Sequence, residues 1–193
     1  MSSGPQMYPG PGEVLHFSED PTITRFVPHV AATAQLPEPY VWAVDRAHAP
    51  SYWFPRDCPR AMAWVVGDTT ADDRDRILGP GGGERVHAVE YAWLEQIRTV
   101  PLYAYRLPAD AFRPIGSPWS YAMVADRPVE PLGRAVPVPD LLSLHAAAGI
   151  QLRVLPDLWE FWDAVVASSL RFSGIRLRNA APRRLADGPY NRR

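Results

Sequence analysis

Apolar positions along this chain come in short bursts, most of them strand-sized, separated by polar stretches that carry proline. "EVLHF" (13–17) reads as a first strand. "SEDPTITRF" (18–26) reads as a turn or short helix that Ser18 or Asp20 would cap with a side-chain oxygen. "TAQLPEP" (33–39) is a loop, and "YVWAV" (40–44) is a second strand by its β-branched and aromatic content. "DRAHAPSYWF" (45–54) opens like a helix capped by Asp45, but Pro50 and Pro55 would cut or kink it.

"AMAWVV" (61–66) is a third strand. "GDTTADDRDRILGPGGGE" (67–84) is polar and ends in glycine, which predicts a surface excursion holding one short helix. "RVHAVEYAWLEQIR" (85–98) reads as a strand running into a helix, with Trp93, Leu94 and Ile97 at helical spacing. "PLYAYRL" (101–107) alternates as a strand, "PADAFRPIG" (108–116) is a turn region, and "WSYAMVAD" (119–126) and "GRAVPVPD" (133–140) are strand-like. Asp140 stands where it would cap the helix "LLSLHAAAG", which Gly149 would end. A strand "IQLRVLP" (150–156) and a helix within "LWEFWDAVVASSLRF" (158–172) complete the pattern. The sum is about six or seven short strands with two to four flanking helices. Strands and long helices do not alternate, so the expected class is α+β, a small, twisted, mostly antiparallel β core.

Composition sharpens this only in places. At 193 residues the chain suits one domain, expected over 13–178, with a flexible lead over 1–12 and a loose basic tail over 179–193. The 22 prolines argue against a long helical bundle. A formal charge of −1 gives no reason to expect nucleic acid or a membrane surface as partner. Seven of the arginines nevertheless fall between Arg171 and Arg193, against one acid, Asp187. Lysine is absent, which removes Schiff-base chemistry and the phosphate-binding lysine of a P-loop. Cys58 is alone, so no internal disulfide or cysteine-based zinc cluster can form. The five histidines lack a metal-ligand spacing, so no metal is expected. "MSSGPQMYPGPGEV" has neither the charged region nor the apolar core of a signal peptide, and no apolar run reaches membrane-span length. The default expectation is cytoplasmic.

His16, followed by Phe17 and Ser18 at the end of the first strand, Trp42 in the second strand and Tyr52 beyond it form a spaced set. This set resembles the opening of the ADP-ribosyltransferase-like fold. That fold is shared by the enzymes that modify rifamycin antibiotics, by poly-ADP-ribose polymerases and by tRNA 2′-phosphotransferases. The resemblance covers about residues 13–140 and includes "PLYAYRLPADAF" and "YAMVADRPVEPLGRAV". It implies that His16 and Ser18 lie at the ribose next to nicotinamide of NAD, with Trp42 and Tyr52 as the two walls around the nicotinamide ring. The family generally has a small residue where Phe17 stands, a tyrosine where Trp42 stands, and an acid on a later strand. Here the acid nearest that place is Asp126, with Asp110 a poorer choice. As a whole the chain also resembles an uncharacterised bacterial domain family through "HFSEDP", "FPRDCPR" and "FSGIRLRNA".

Each signal has a plainer reading. His16 could be a hydrogen-bonded histidine at a strand end, and Trp42 and Tyr52 could be core aromatics. Cys58, between Arg56 and Arg60, could be a thiolate lowered by the guanidinium groups, or a small hydrophobe beside an Asp57–arginine pair. In "FSGIRLRN", strand alternation would put Arg176 and Arg178 on one face, as an anion clamp or as a solvated edge. Arg56, Arg176 and Arg178 are therefore candidates for the pyrophosphate or an acidic substrate. The expected function is transfer from NAD or a related nucleotide to a small-molecule or other acceptor. The alternatives are a different chemistry of specialised metabolism in the same pocket, or a non-catalytic binding module.

Overall fold

The computed structural model describes residues 7–30, 37–117 and 119–183. Its contacts group into two compact units, each made of two chain segments: Met1–Arg56 with Glu95–Ala147, and Asp57–Leu94 with Ala148–Arg193. The α+β class holds, with ten strands and four α-helices among the described residues.

The first unit carries two three-stranded sheets. In one, β5 (Tyr103–Pro108) lies between β1 (Glu13–Ser18) and β8 (Val136–Pro137). In the other, β7 (Ala122–Ala125) lies between β2 (Val41–Ala43) and β6 (Arg113–Ile115). Every pairing within them is antiparallel. A single bridge joins the two sheets: Leu15 and Val44 exchange both main-chain hydrogen bonds, at 2.9 and 2.8 Å.

Alternation then sorts the side chains of β1 and β2. Val14, Val41 and Ala43 enter one buried cluster with Phe26, Tyr105 and Leu107. Leu15 and Val44 enter another with Ala49, against which Phe17 and Tyr52 pack. Helix α3 (Leu141–Ala147) opens as the sequence predicts, with Asp140 Oδ2 accepting from the Ser143 N–H at 2.8 Å. Gly149 follows it in the left-handed conformation, φ 66°.

The second unit is one four-stranded sheet in the order β10 (Arg171–Ile175), β3 (Arg60–Trp64), β4 (Arg85–Glu90), β9 (Gln151–Leu155). Among the described strands, β4 and β9 form the one parallel pair. Helices α1 (Ala71–Ile77) and α4 (Trp159–Val166) supply Ile77 and Val165 to a core with Ala63 and Val86. Thr70 caps α1 by accepting from the Asp73 N–H at 3.2 Å. The Asp73 carboxylate takes both the main-chain N–H and the hydroxyl of Ser169, each at 2.7 Å. Helix α2 (Leu94–Thr99) lies where the chain passes from the second unit back to the first.

The structure decides some readings that the sequence leaves open and corrects others. The 18–26 stretch is a turn: Asp20 Oδ1 accepts from the Thr22 N–H at 2.8 Å, and Ser18 Oγ from the Asp20 N–H at 3.1 Å. In 45–54 the prolines prevail, leaving a turn at Asp45 and a 3-10 turn over Ala49–Tyr52. The turn region 108–116 contains the short strand β6. Arg176 and Arg178 do not alternate in a strand, because β10 stops at Ile175 and Arg176 takes φ 56°, ψ 25° to begin a 3-10 turn over Leu177–Asn179. Part of the segment read as a loose tail is tied down. Glu90, buried, accepts from the Ala181 N–H with both oxygens at 3.0 Å, and Trp159 Nε1–H donates to the Ala181 carbonyl at 2.7 Å. Most of the loop over 33–39, the first part of the 1–12 lead and the end of the tail lie outside the described residues. Among the described residues no helix is long and apolar enough to cross a membrane.

Candidate functional site around His16

His16 sits on β1 opposite Tyr105 of β5, and its ring lies 4.7 Å from that of Phe26, tilted by 51°. Its Nδ1 is 2.7 Å from the main-chain oxygen of Trp42. A carbonyl can only accept, so Nδ1 carries the proton and donates it. Neutral His16 therefore keeps its lone pair on Nε2, which makes no hydrogen bond among the described residues. Burial is the largest influence on its pKa and lowers it. The bond to the Trp42 carbonyl opposes that shift, and the charges of Arg56 and His29 add to it. At neutral pH the group is an uncharged imidazole with one fixed tautomer and one open acceptor.

The stretch after His16 folds back beside it. Tyr105 donates its hydroxyl to the Asp20 carbonyl at 2.7 Å and accepts from the Ile23 N–H at 3.0 Å. This pins the 20–23 turn to the strand opposite His16. Glu19 accepts the main-chain N–H of Arg56 at 2.8 Å. "HFSED" and "FPRD" thus meet, and Arg56 comes close enough for its charge to act on His16. Ser18 shares the His16 face of β1 by alternation, with its hydroxyl engaged by the turn.

The walls expected for a nicotinamide ring do not close around His16. Trp42 alternates with Val41 and Ala43, so its indole lies on the other face of β2, toward the side of Val44. Tyr52 packs with Leu15, Phe17 and Val44, the face of β1 opposite His16. Trp42 and Tyr52 therefore share a side, and His16 is reached from Trp42 only through its carbonyl. A ring stacked between the two aromatics would lie across the strands from the imidazole. The Trp42 Nε1–H is itself buried without an acceptor among the described residues.

Asp126 and Asp110 stand elsewhere in this unit. Both line a groove of about 260 Å³ beside the β6–β7 hairpin, whose lining includes Arg113, Arg127, Phe112 and Val124 but not His16, Trp42 or Tyr52. In the second unit, Arg176 Nε lies 3.6 Å from Asp57 Oδ1, so that arginine braces the chain end where the sequence suggested a clamp. Arg178 follows inside the 3-10 turn. Cys58 is fully buried, and burial pushes its thiol up to about 12, outweighing the opposing charge of Arg60. It is a small hydrophobe and not a nucleophile at neutral pH.

Sequence reasoning missed Glu19, Phe26 and Tyr105. The alternation of "YAYRL" puts Tyr103, Tyr105 and Leu107 on one face, but only the pairing of β1 with β5 brings Tyr105 to His16.

A model of the family of unknown function DUF6886 matches residues 15–180, nearly the whole described chain. The chain belongs to that family. The match begins beside His16, takes in "HFSEDP" and "FPRDCPR", and ends at Ala180, one residue before the tie at Ala181. No curated protein and no solved structure matches this DUF6886 chain.

Proposed function

We propose that the first unit of this DUF6886 chain binds a ribose-bearing nucleotide, NAD or a relative, at His16, and that it serves an ADP-ribosyltransferase-like transfer to a small-molecule or other acceptor. The observation that carries this reading is the fixed tautomer. Trp42's carbonyl holds the Nδ1–H, and the free Nε2 lone pair accepts a hydrogen bond from a hydroxyl without bringing a permanent charge. The positive charge of Arg56, felt at His16, suits the anionic part of such a ligand.

One observation favours a second reading, a binding module without transfer. The carboxylates best placed by the family resemblance, Asp126 and Asp110, line a groove that does not include His16.

The test is a thermal shift with NAD followed by a turnover assay. A nucleotide present at 100 times its dissociation constant adds about 2.7 kcal/mol to stability. A melting shift with NAD that His16→Ala abolishes supports the site. Release of nicotinamide that also depends on His16 supports transfer, and binding without release supports the module. No shift with NAD at millimolar concentration would remove the nucleotide reading.

A further inference from the structure

The groove beside the β6–β7 hairpin holds charges of both signs, three of which pair with nothing among the described residues. Pairing of Arg113 with Val124 sets residues 110–113 alongside 124–127. Val124 and Ala125, both buried, and the half-buried Phe112 give the groove its apolar part. Around them stand Asp110, Asp126, Arg113 and Arg127. Asp110, Asp126 and Arg127 make no hydrogen bond or ion pair among the described residues, with one another or with anything else. Arg113 is oriented from behind: its Nη2 donates to the Tyr40 hydroxyl at 3.1 Å, and its guanidinium lies 5.5 Å from the centre of the Tyr40 ring. One donor is thereby used, and the others of its five N–H groups remain for a ligand.

We propose that this groove is a binding site for a small zwitterion of amino-acid size. Asp110 and Asp126 take its cationic group, and Arg127 with Arg113 takes its carboxylate. Charges of both signs line one groove without forming an ion pair among the described residues, and a molecule carrying both signs can meet them together. Two carboxylates suit a guanidinium or ammonium, and a guanidinium fork matches a carboxylate in two parallel hydrogen bonds. The volume of about 260 Å³ is below the range of about 300–1,000 Å³ for drug-sized ligands, in keeping with a ligand of amino-acid size. The site does not depend on the reading of His16.

L-arginine is the probe. In ¹⁵N-labelled protein it shifts the amides of residues 110–113 and 124–127 saturably. Agmatine, which has the guanidinium but no carboxylate, binds roughly tenfold more weakly, the value of one charge-assisted contact. Asp126→Asn and Arg127→Gln alter exposed side chains, and each weakens L-arginine by a similar roughly tenfold factor at an unchanged melting temperature. His16→Ala leaves the L-arginine titration as it was, so failure here and failure of the nucleotide reading are separate results. The proposal is overturned by the absence of any saturable shift up to tens of millimolar L-arginine. Equal affinity for agmatine, or equal affinity in the Asp126→Asn and Arg127→Gln variants, overturns it as well.

Discussion

Gly174, in the edge strand β10, gives the sharpest test of how the second unit is packed. An added Cβ would come 2.6 Å from Leu177 Cδ1 and 2.7 and 2.9 Å from two atoms of the Trp162 ring. Leu177 can swing away, because it presents the end of a flexible side chain. Trp162 has less freedom, since its ring stands edge-on to Phe172 at 5.6 Å and packs against the buried Ala61–Ala88–Leu158 cluster. Overpacking of this kind costs about 1–3 kcal/mol. Replacing glycine by alanine in a regular strand returns roughly 0.5–1 kcal/mol of backbone entropy. The net expectation for Gly174→Ala is a loss of about 1–2 kcal/mol, or roughly 2–8 °C in melting temperature for a chain of this length. Urea unfolding followed by circular dichroism reads this as a lower midpoint at constant slope. Leu177→Ala in the same background should recover part of the loss, as expected for side chains in contact. A Gly174→Ala protein as stable as the parent would refute the packing argument, because it would mean that Trp162 yields at no cost.

Two further outcomes follow from the titrating groups. Burial lowers the pKa of His16 below its unfolded value near 6.5, so the unfolded chain takes up this proton first. Stability attributable to His16 is therefore complete above about pH 6.5 and falls as the pH drops toward the folded pKa. His16→Gln should flatten that part of the stability–pH curve, and an unchanged slope between pH 7 and 5 would contradict the assignment. Cys58, raised from 9.0 to about 12, carries roughly a thousandfold less thiolate than a free cysteine at any pH below 9. Ellman's reagent should label it only in denaturant; rapid labelling of the folded protein at pH 8 would overturn its placement.

Local chemistry was readable in advance, and pairing was not. Asp140 announces its helix because the cap is made within three residues, by Ser143. Pro50 breaks the helix that Asp45 would cap, since a proline acts on its own turn. The site is different. Whether the Trp42 indole joins His16 depends on the register that places Leu15 opposite Val44, and a one-residue slip would have put the indole on the imidazole's side. Nothing within "LHFS" or "YVWAV" fixes that register, because both strands carry buried residues on both faces. Arg176 misled for a related reason. Its alternation with Leu177 is strand-like, but the chain reverses there through a left-handed residue that sequence rules assign to glycine or asparagine.

The order of strands in the four-stranded sheet has a consequence for synthesis. β3 and β4, its two inner members, leave the ribosome together, whereas β10 and β9, which flank them, come from beyond Ala148. Between the two events the whole Glu95–Ala147 stretch must be made. Throughout that interval the nascent hairpin offers unpaired main-chain groups along both margins, an invitation to foreign strands that the finished protein withdraws. A chain interrupted before Gln151 would carry this adhesive ribbon permanently, so premature termination is expected to yield aggregates and not a smaller folded product.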